Sequence, residues 1–296
     1  MKYILRKAVI EPVPEVEISA QFFSELKFAR HVLTNALEIE QKYEIVISNF
    51  IDLEKQLIDI SVTNSIRLKH SYDDSFETLS ILNIRLVNLL TSTRLYLDQL
   101  PQHIKLCHLE DEGVEDRIKS RCSEEFDKFF EYRFMEALRN YVQHRGTPIH
   151  LISPKARWTS FEKEGLLEFS LQIAAQRSYL EEDGKFKKKI LEEAPEKIDL
   201  VKMARQYVES ISSINEFVRE LINEPTKSAR TTIESAHQQY SETYLESLVG
   251  LTAQQIKNDK IITSIPLLLN WDDVRLNLQK RNQHLGNLSK RYVTSK

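Results

Sequence analysis

The chain's 296 residues can bury a substantial core, as one large domain or two smaller ones. Six glycines and eight prolines are few for this length, which disfavours a glycine-consuming α/β architecture and favours long helices with short connections. A formal charge of -3 excludes a global pull toward nucleic acid or membrane, so any contact with a polyanion must come from a local patch.

Two cysteines, Cys107 and Cys122, argue against both a disulfide-stapled scaffold and a thiolate metal site. Met1 to Ile10 carries charge without the apolar core of a signal peptide. The greasiest stretch, Ile81 to Leu97, is interrupted by Arg85, Asn88 and Arg94. No membrane span is therefore expected, and the expected location is cytoplasmic.

In chain order, Tyr3 to Ile10 has short β-like character, which Pro12 and Pro14 stop. From Ser19 the period turns helical, with Phe22, Leu26, Ala29, Leu33 and Ala36 along one side. A second helical tract runs from Tyr43 to Leu68, with Glu54 at the edge of its apolar stripe. The polar run His70 to Ser75 breaks it and can cap the next helix. Phe76 to Leu100 is apolar on more than one face, as in a helix central to a bundle, and Pro101 closes it. After a linker at Leu109 to Gly113, the next helix covers Val114 or Asp116 through His144. Gly146 ends it by tolerating the left-handed cap position, and Pro148 prevents its continuation.

Pro148 to Ile152 reads as a short extended piece able to pair with Tyr3 to Ile10. Thr159 and Glu162 form a capping box for a helix reaching Tyr179. Beyond the basic cluster Lys185 to Lys189 come two long polar-rich helices, over about 199–222 and 228–248. The first carries the stripe Leu200, Met203, Tyr207, Ile211, Ile214 and Val218. Trp158 and Trp271 read as core anchors, and the tail to Lys296 is mixed. The expected fold is all-α: an up-and-down helical bundle over residues 1–150, with a helical extension over 151–296 that packs on it or stands alone.

The helix that ends at His144 carries the polar string Arg139-Asn140-Tyr141-Val142-Gln143-His144. An arginine can grip a phosphate in a bidentate fork, and a histidine titrates near neutrality. On an ideal helix Arg139 and His144 lie about 140° apart and about 7.5 Å along the axis, while Asn140 and His144 stack on one shoulder. One helix cannot easily close both groups on one atom; two copies around a two-fold axis could. The same spacing is also that of ordinary surface and salt-bridge residues.

The wider string from Tyr132 to Gly146, with Arg139, Asn140 and His144 inside it, resembles the signature helix of the HEPN superfamily. Those are all-helical domains of prokaryotic conflict systems and of some eukaryotic RNases. The resemblance implies a homodimer whose two motifs form a metal-independent endoribonuclease site of the toxin or phage-defence type. No cofactor or metal is implied, and a cognate antitoxin or defence partner is. His144 would move the proton of a ribose 2′-hydroxyl or of the leaving oxygen. Arg139 would neutralise the phosphate, and Asn140 would orient it or the histidine. Arg145 and Arg94 are the expected substrate-binding residues on the RNA. The alternative is a catalytically inactive binding or assembly protein on the same helical scaffold. Gly146 stands where members silenced by a nucleotidyltransferase antitoxin carry a modified tyrosine.

Other polar groups read more plainly. His103, Cys107 and His108 lack the spacing of a zinc site and read as solvent-facing polar residues. The acidic run Glu110 to Asp116 reads as a solvated helix start. Arg133 and the lysines at 185, 187, 188 and 189 could hold a phosphate backbone or simply face water.

Overall fold

Few glycines leave few places to turn, and the chain spends its length in long elements. The computed structural model describes residues 1–9, 13–67, 71–108, 111–162, 164–182, 184–244 and 247–293. The elements begin with β1 (Lys2–Lys7), β2 (Val16–Glu17), α1 (Ala20–Ile66), α2 (Tyr72–Cys107), α3 (Val114–Lys128) and α4 (Phe130–His144). There follow β3 (Leu151–Trp158), β4 (Leu167–Gln176), α5 (Arg177–Glu182), α6 (Lys188–Glu193), β5 (Lys197–Asp199) and α7 (Leu200–Thr243). The chain ends with β6 (Leu251–Lys257), β7 (Lys260–Pro266), α8 (Asn270–Arg281) and a short 3-10 turn at Leu288–Lys290.

Two compact units are built from these. Unit 1 takes residues 1–41, 99–118 and 216–283, and unit 2 takes residues 42–98, 119–215 and 284–296. Unit 1 contains an antiparallel sheet in the order β2-β1-β6-β7, and unit 2 contains one in the order β3-β4-β5.

These sheets correct the all-α expectation, and with it the HEPN resemblance. An up-and-down bundle has no place for seven strands, and seven are present among the described residues. The endoribonuclease reading, its shared Arg139/His144 dimer site and the toxin or phage-defence role rested on that architecture and fall with it. So does the alternative of an inactive protein on the same scaffold.

Local corrections have identifiable causes. β1 pairs with β6 from Lys2↔Ile256 to Lys7↔Leu251, whereas Pro148 to Ile152 leads into β3, which pairs with β4. Thr159 starts no helix: its backbone N–H donates to the Leu166 carbonyl at 2.8 Å, and its Oγ1 accepts from the Leu166 N–H at 3.0 Å. These bonds close the β3–β4 connection, after which Leu167, Phe169, Leu171 and Ile173 alternate with polar residues as a strand requires. β6 and β7 meet at Asn258-Asp259, both at positive φ (51° and 57°), the backbone of a two-residue type I′ hairpin.

The helices are longer than the sequence periods suggest. Ser19 to Leu68 yields one helix instead of two, as does 199–248. Pro225 lies inside α7. It lacks the N–H that would bond the Leu221 carbonyl four residues back, and that carbonyl instead accepts from His108 Nε2 at 2.7 Å. The expected single helix over 114–144 is broken at Phe129, whose backbone is extended (φ -117°, ψ 119°). Arg133 Nη1 donates to the Phe126 and Asp127 carbonyls at 3.0 Å each, supplying partners to the end of α3, while its Nη2 reaches Glu193 at 2.6 Å. Pro12, His70, Leu109 and Glu110, which the sequence assigned to turns, a cap and a linker, lie outside the described residues.

The expected stripe on α7 is buried from Leu200 to Val218 and continues past the proline through Ile222, Ala229, Ile233, Ala236 and Tyr240. The same helix carries the arginines and the hydroxyl that meet buried and half-buried acids. In unit 1, Arg219 forks onto Glu40 at 2.8 and 2.6 Å, and Arg230 reaches Asp272 at 2.7 Å. In unit 2, Arg205 forks onto Glu54 at 2.7 Å through both nitrogens, and the Tyr207 hydroxyl donates to Glu136. Glu40 and Asp272 are fully buried; Glu40 is met by Arg219, whereas Asp272 is shared by Arg230 and Arg275. Replacing Arg219 with Ala is expected to cost about 3–5 kcal/mol in a urea titration by stranding Glu40. The double replacement Glu40→Leu with Arg219→Met should cost much less; equal losses would show that the pair's charge balance is not what matters.

Candidate anion-binding pocket

Unit 2 positions the polar string at the end of α4. Tyr132, Phe134, Met135, Ala137 and Leu138 bury one side of that helix, leaving Asn140, Gln143 and His144 exposed at its last turns. Arg145 ends the helix, its N–H bonded to the Tyr141 carbonyl at 2.8 Å. Gly146 is not in a left-handed conformation, which corrects the capping expectation. A Cβ there would stand 2.7 Å from the Tyr141 hydroxyl, so the glycine supplies room for that ring. Just beyond, the Ile149 N–H donates to the buried Asn83 Oδ1 at 3.0 Å and anchors the chain.

The opposite wall is the segment between α5 and α6. Gly184, at φ +63°, turns the chain out of α5. Phe186 is then buried against Phe134 (5.8 Å between centroids) and Tyr141 (6.2 Å), leaving its neighbours Lys185 and Lys187 exposed. The result is a pocket of about 220 Å³ with Ala137, Tyr141 and Phe186 as apolar lining. Asn140, His144, Arg145, Lys185 and Lys187 supply its polar rim. Among the described residues no carboxylate pairs with Lys185 or Lys187.

Charge decides what this pocket can hold. The end of a helix presents roughly half a negative charge, which by itself repels an anion. Lys185 and Lys187 on the opposite wall, with no carboxylate partner among the described residues, outweigh it. A cavity of about 340 Å³ in unit 1 differs: its arginines 219, 230 and 275 are held by Glu40, Asp272, Asp273 and Glu234.

The structure thus brings Asn140, His144 and Arg145 together with two lysines. Arg139 instead donates through Nη1 to Asn140 Oδ1 at 2.7 Å, and Arg94 is ion-paired with Asp98 at 2.5 Å and Glu136 at 3.6 Å. The aromatic lining was missed. Its signal was present in Lys185-Phe186-Lys187, an apolar anchor between two cations.

The remaining candidates have structural partners. His103 Nδ1 meets Asn35 Oδ1 at 3.0 Å, and Cys107 Sγ donates to the Val32 carbonyl at 3.6 Å. Burial pushes the Cys107 thiol up to about 12, away from the thiolate a metal would need. Among the described residues no three His, Cys, Asp or Glu side chains could share a metal ion. Asp111 pairs with Arg117 at 2.5 Å and Glu115 with Lys105 at 3.2 Å. Trp158 is exposed on β3, correcting its reading as a core anchor, while Trp271 is half-buried beneath the Arg30 guanidinium, 3.6 Å from its centroid. Among the described residues no helix is long and apolar enough to cross a membrane. Comparison with known proteins returned no matching family model, no matching curated protein and no matching solved structure.

Behind the pocket, His150 stacks on Tyr179 (5.1 Å) and meets Tyr141 edge to face (6.3 Å). Its Nδ1 accepts from the Gln176 N–H at 3.0 Å, so the neutral ring carries its proton on Nε2. Burial pushes its pKa below the usual 6.5. The unfolded chain therefore binds this proton more readily, and the stability His150 contributes is present above pH 6.5 and is lost as pH falls through its folded pKa. Chemical denaturation from pH 8 down to 5 should show stability falling below about 6.5, with a shallower fall in His150→Phe. An identical slope in both proteins would show that His150 is not responsible.

Proposed function

We propose that this protein binds single-stranded RNA without cutting it, holding a phosphate at the basic rim of the unit 2 pocket beside the Tyr141 and Phe186 rings. The supporting observation is the convergence of Lys185 and Lys187, cations without a carboxylate partner among the described residues, with His144 and Arg145 of a separate segment around one small cavity. Lys188 and Lys189, exposed at the start of α6, extend the positive surface beyond the pocket, which favours a polymer over an isolated phosphate. A single strand suits the site because its phosphates and unstacked bases can reach a narrow pocket, whereas a duplex cannot separate them. The overall charge of -3 limits non-specific affinity, so the contact depends on this patch.

Fluorescence anisotropy with a labelled single-stranded oligoribonucleotide tests the reading. Lys185→Ala with Lys187→Ala should weaken binding roughly tenfold and reduce the salt slope by about 1.4, from about 0.7 per phosphate contact. The RNA should be recovered at full length. Unchanged affinity and slope in the double variant would refute the assignment.

A further inference from the structure

In unit 2 the outer half of α1 is apolar on two sides, and only one is covered. Val46, Phe50, Leu53 and Leu57 are buried. Ile51, Ile58, Val62 and Ile66 are exposed, rising to 77% at Ile66. At about 100° per residue the exposed four lie within about 80° of one another, and their stripe is about 145° from the buried one. An ordinary surface helix would place polar residues there. The Asp52–Arg85 pair (3.7 Å) and the Tyr43–Tyr96 contact (5.8 Å) align α2 antiparallel to α1. Tyr72 and Phe76, both more than half exposed, therefore stand at the same end as Val62 and Ile66.

We propose that this stripe is the contact surface for a second copy of the same chain, laid antiparallel with Ile58 on the two-fold axis. The spacing is self-complementary. Ile51 is seven residues before Ile58 and Ile66 eight after, so each copy's Ile51 meets the other's Ile66. Charge is complementary in the same register. Lys55 and Asp59 flank Ile58 and are four apart, yet they do not pair within the helix. Among the described residues Lys55 has no ion pair, and Asp59 accepts one long hydrogen bond, from Gln56 at 3.5 Å. The antiparallel arrangement brings each Lys55 within about 3 Å along the axis of the other copy's Asp59. With Tyr72 and Phe76 at its Ile66 end, a stripe about 24 Å long on each copy approaches the roughly 800 Å² per partner of a standard interface.

The surface is independent of the RNA reading, because none of these residues lines the pocket. Sedimentation velocity on the full chain over a wide concentration range tests it. The wild type should dimerise as concentration rises, and Ile58→Asp, which sets two carboxylates across the axis, should raise the dissociation constant at least tenfold with an unchanged circular dichroism spectrum. Lys55→Glu should also weaken the dimer, and Lys55→Glu with Asp59→Lys should restore it. A wild type that stays monomeric at every concentration would assign the stripe to some other partner and overturn the proposal. A dimer indifferent to Ile58→Asp would overturn it as well.

Discussion

Two buried and two half-buried acids, two in each unit, are met by side chains of one helix, and this constraint sets the register of the packing around it. Along α7, Arg205, Tyr207, Arg219 and Arg230 each meet a carboxyl group of another element: Glu54, Glu136, Glu40 and Asp272. Removing a carboxylate from water is costly unless an opposing charge or donor replaces the lost hydration. These four contacts fix where the α7 stripe can seat, because a rotation of one residue would strand the acids. Apolar burial supplies most of the stabilisation, and the polar closures select the register.

The same need to satisfy polar groups explains how helices of unusual length survive breaks and prolines. α7 passes through Pro225 because His108 serves the carbonyl the proline leaves open. The α3–α4 chain breaks at Phe129, and Arg133 supplies donors to the carbonyls before it. That break starts α4 anew, and the turn it ends with places His144 and Arg145 at the pocket. The candidate site is thus a consequence of a helix interruption at Phe129, fifteen residues before His144, at a position with no glycine or proline to mark it.

Much of the helical architecture was legible. The α7 stripe from Leu200 to Val218 follows from periodicity, and every member of it is buried. The sheets were less so. β4 alternates apolar and polar residues, but a Thr-x-x-Glu box ahead of it competed for the same reading. Asn258-Asp259 is a hairpin signal in plain view, yet β6 and β7 carry weak alternation on either side. The short arginine–histidine motif misled because helical spacing is common and says nothing of the surrounding fold.

By itself the sequence determined which segments could hide an apolar face and which residues could carry charge near α4, since both follow from side-chain chemistry and local period. Tertiary structure alone decided that β1 pairs with a strand some 250 residues away, that Arg139 turns to Asn140, and that Lys185 and Lys187 join His144 and Arg145. Local spacing carries no information about contacts between distant segments. Those are set by which buried groups find partners once the chain is compact.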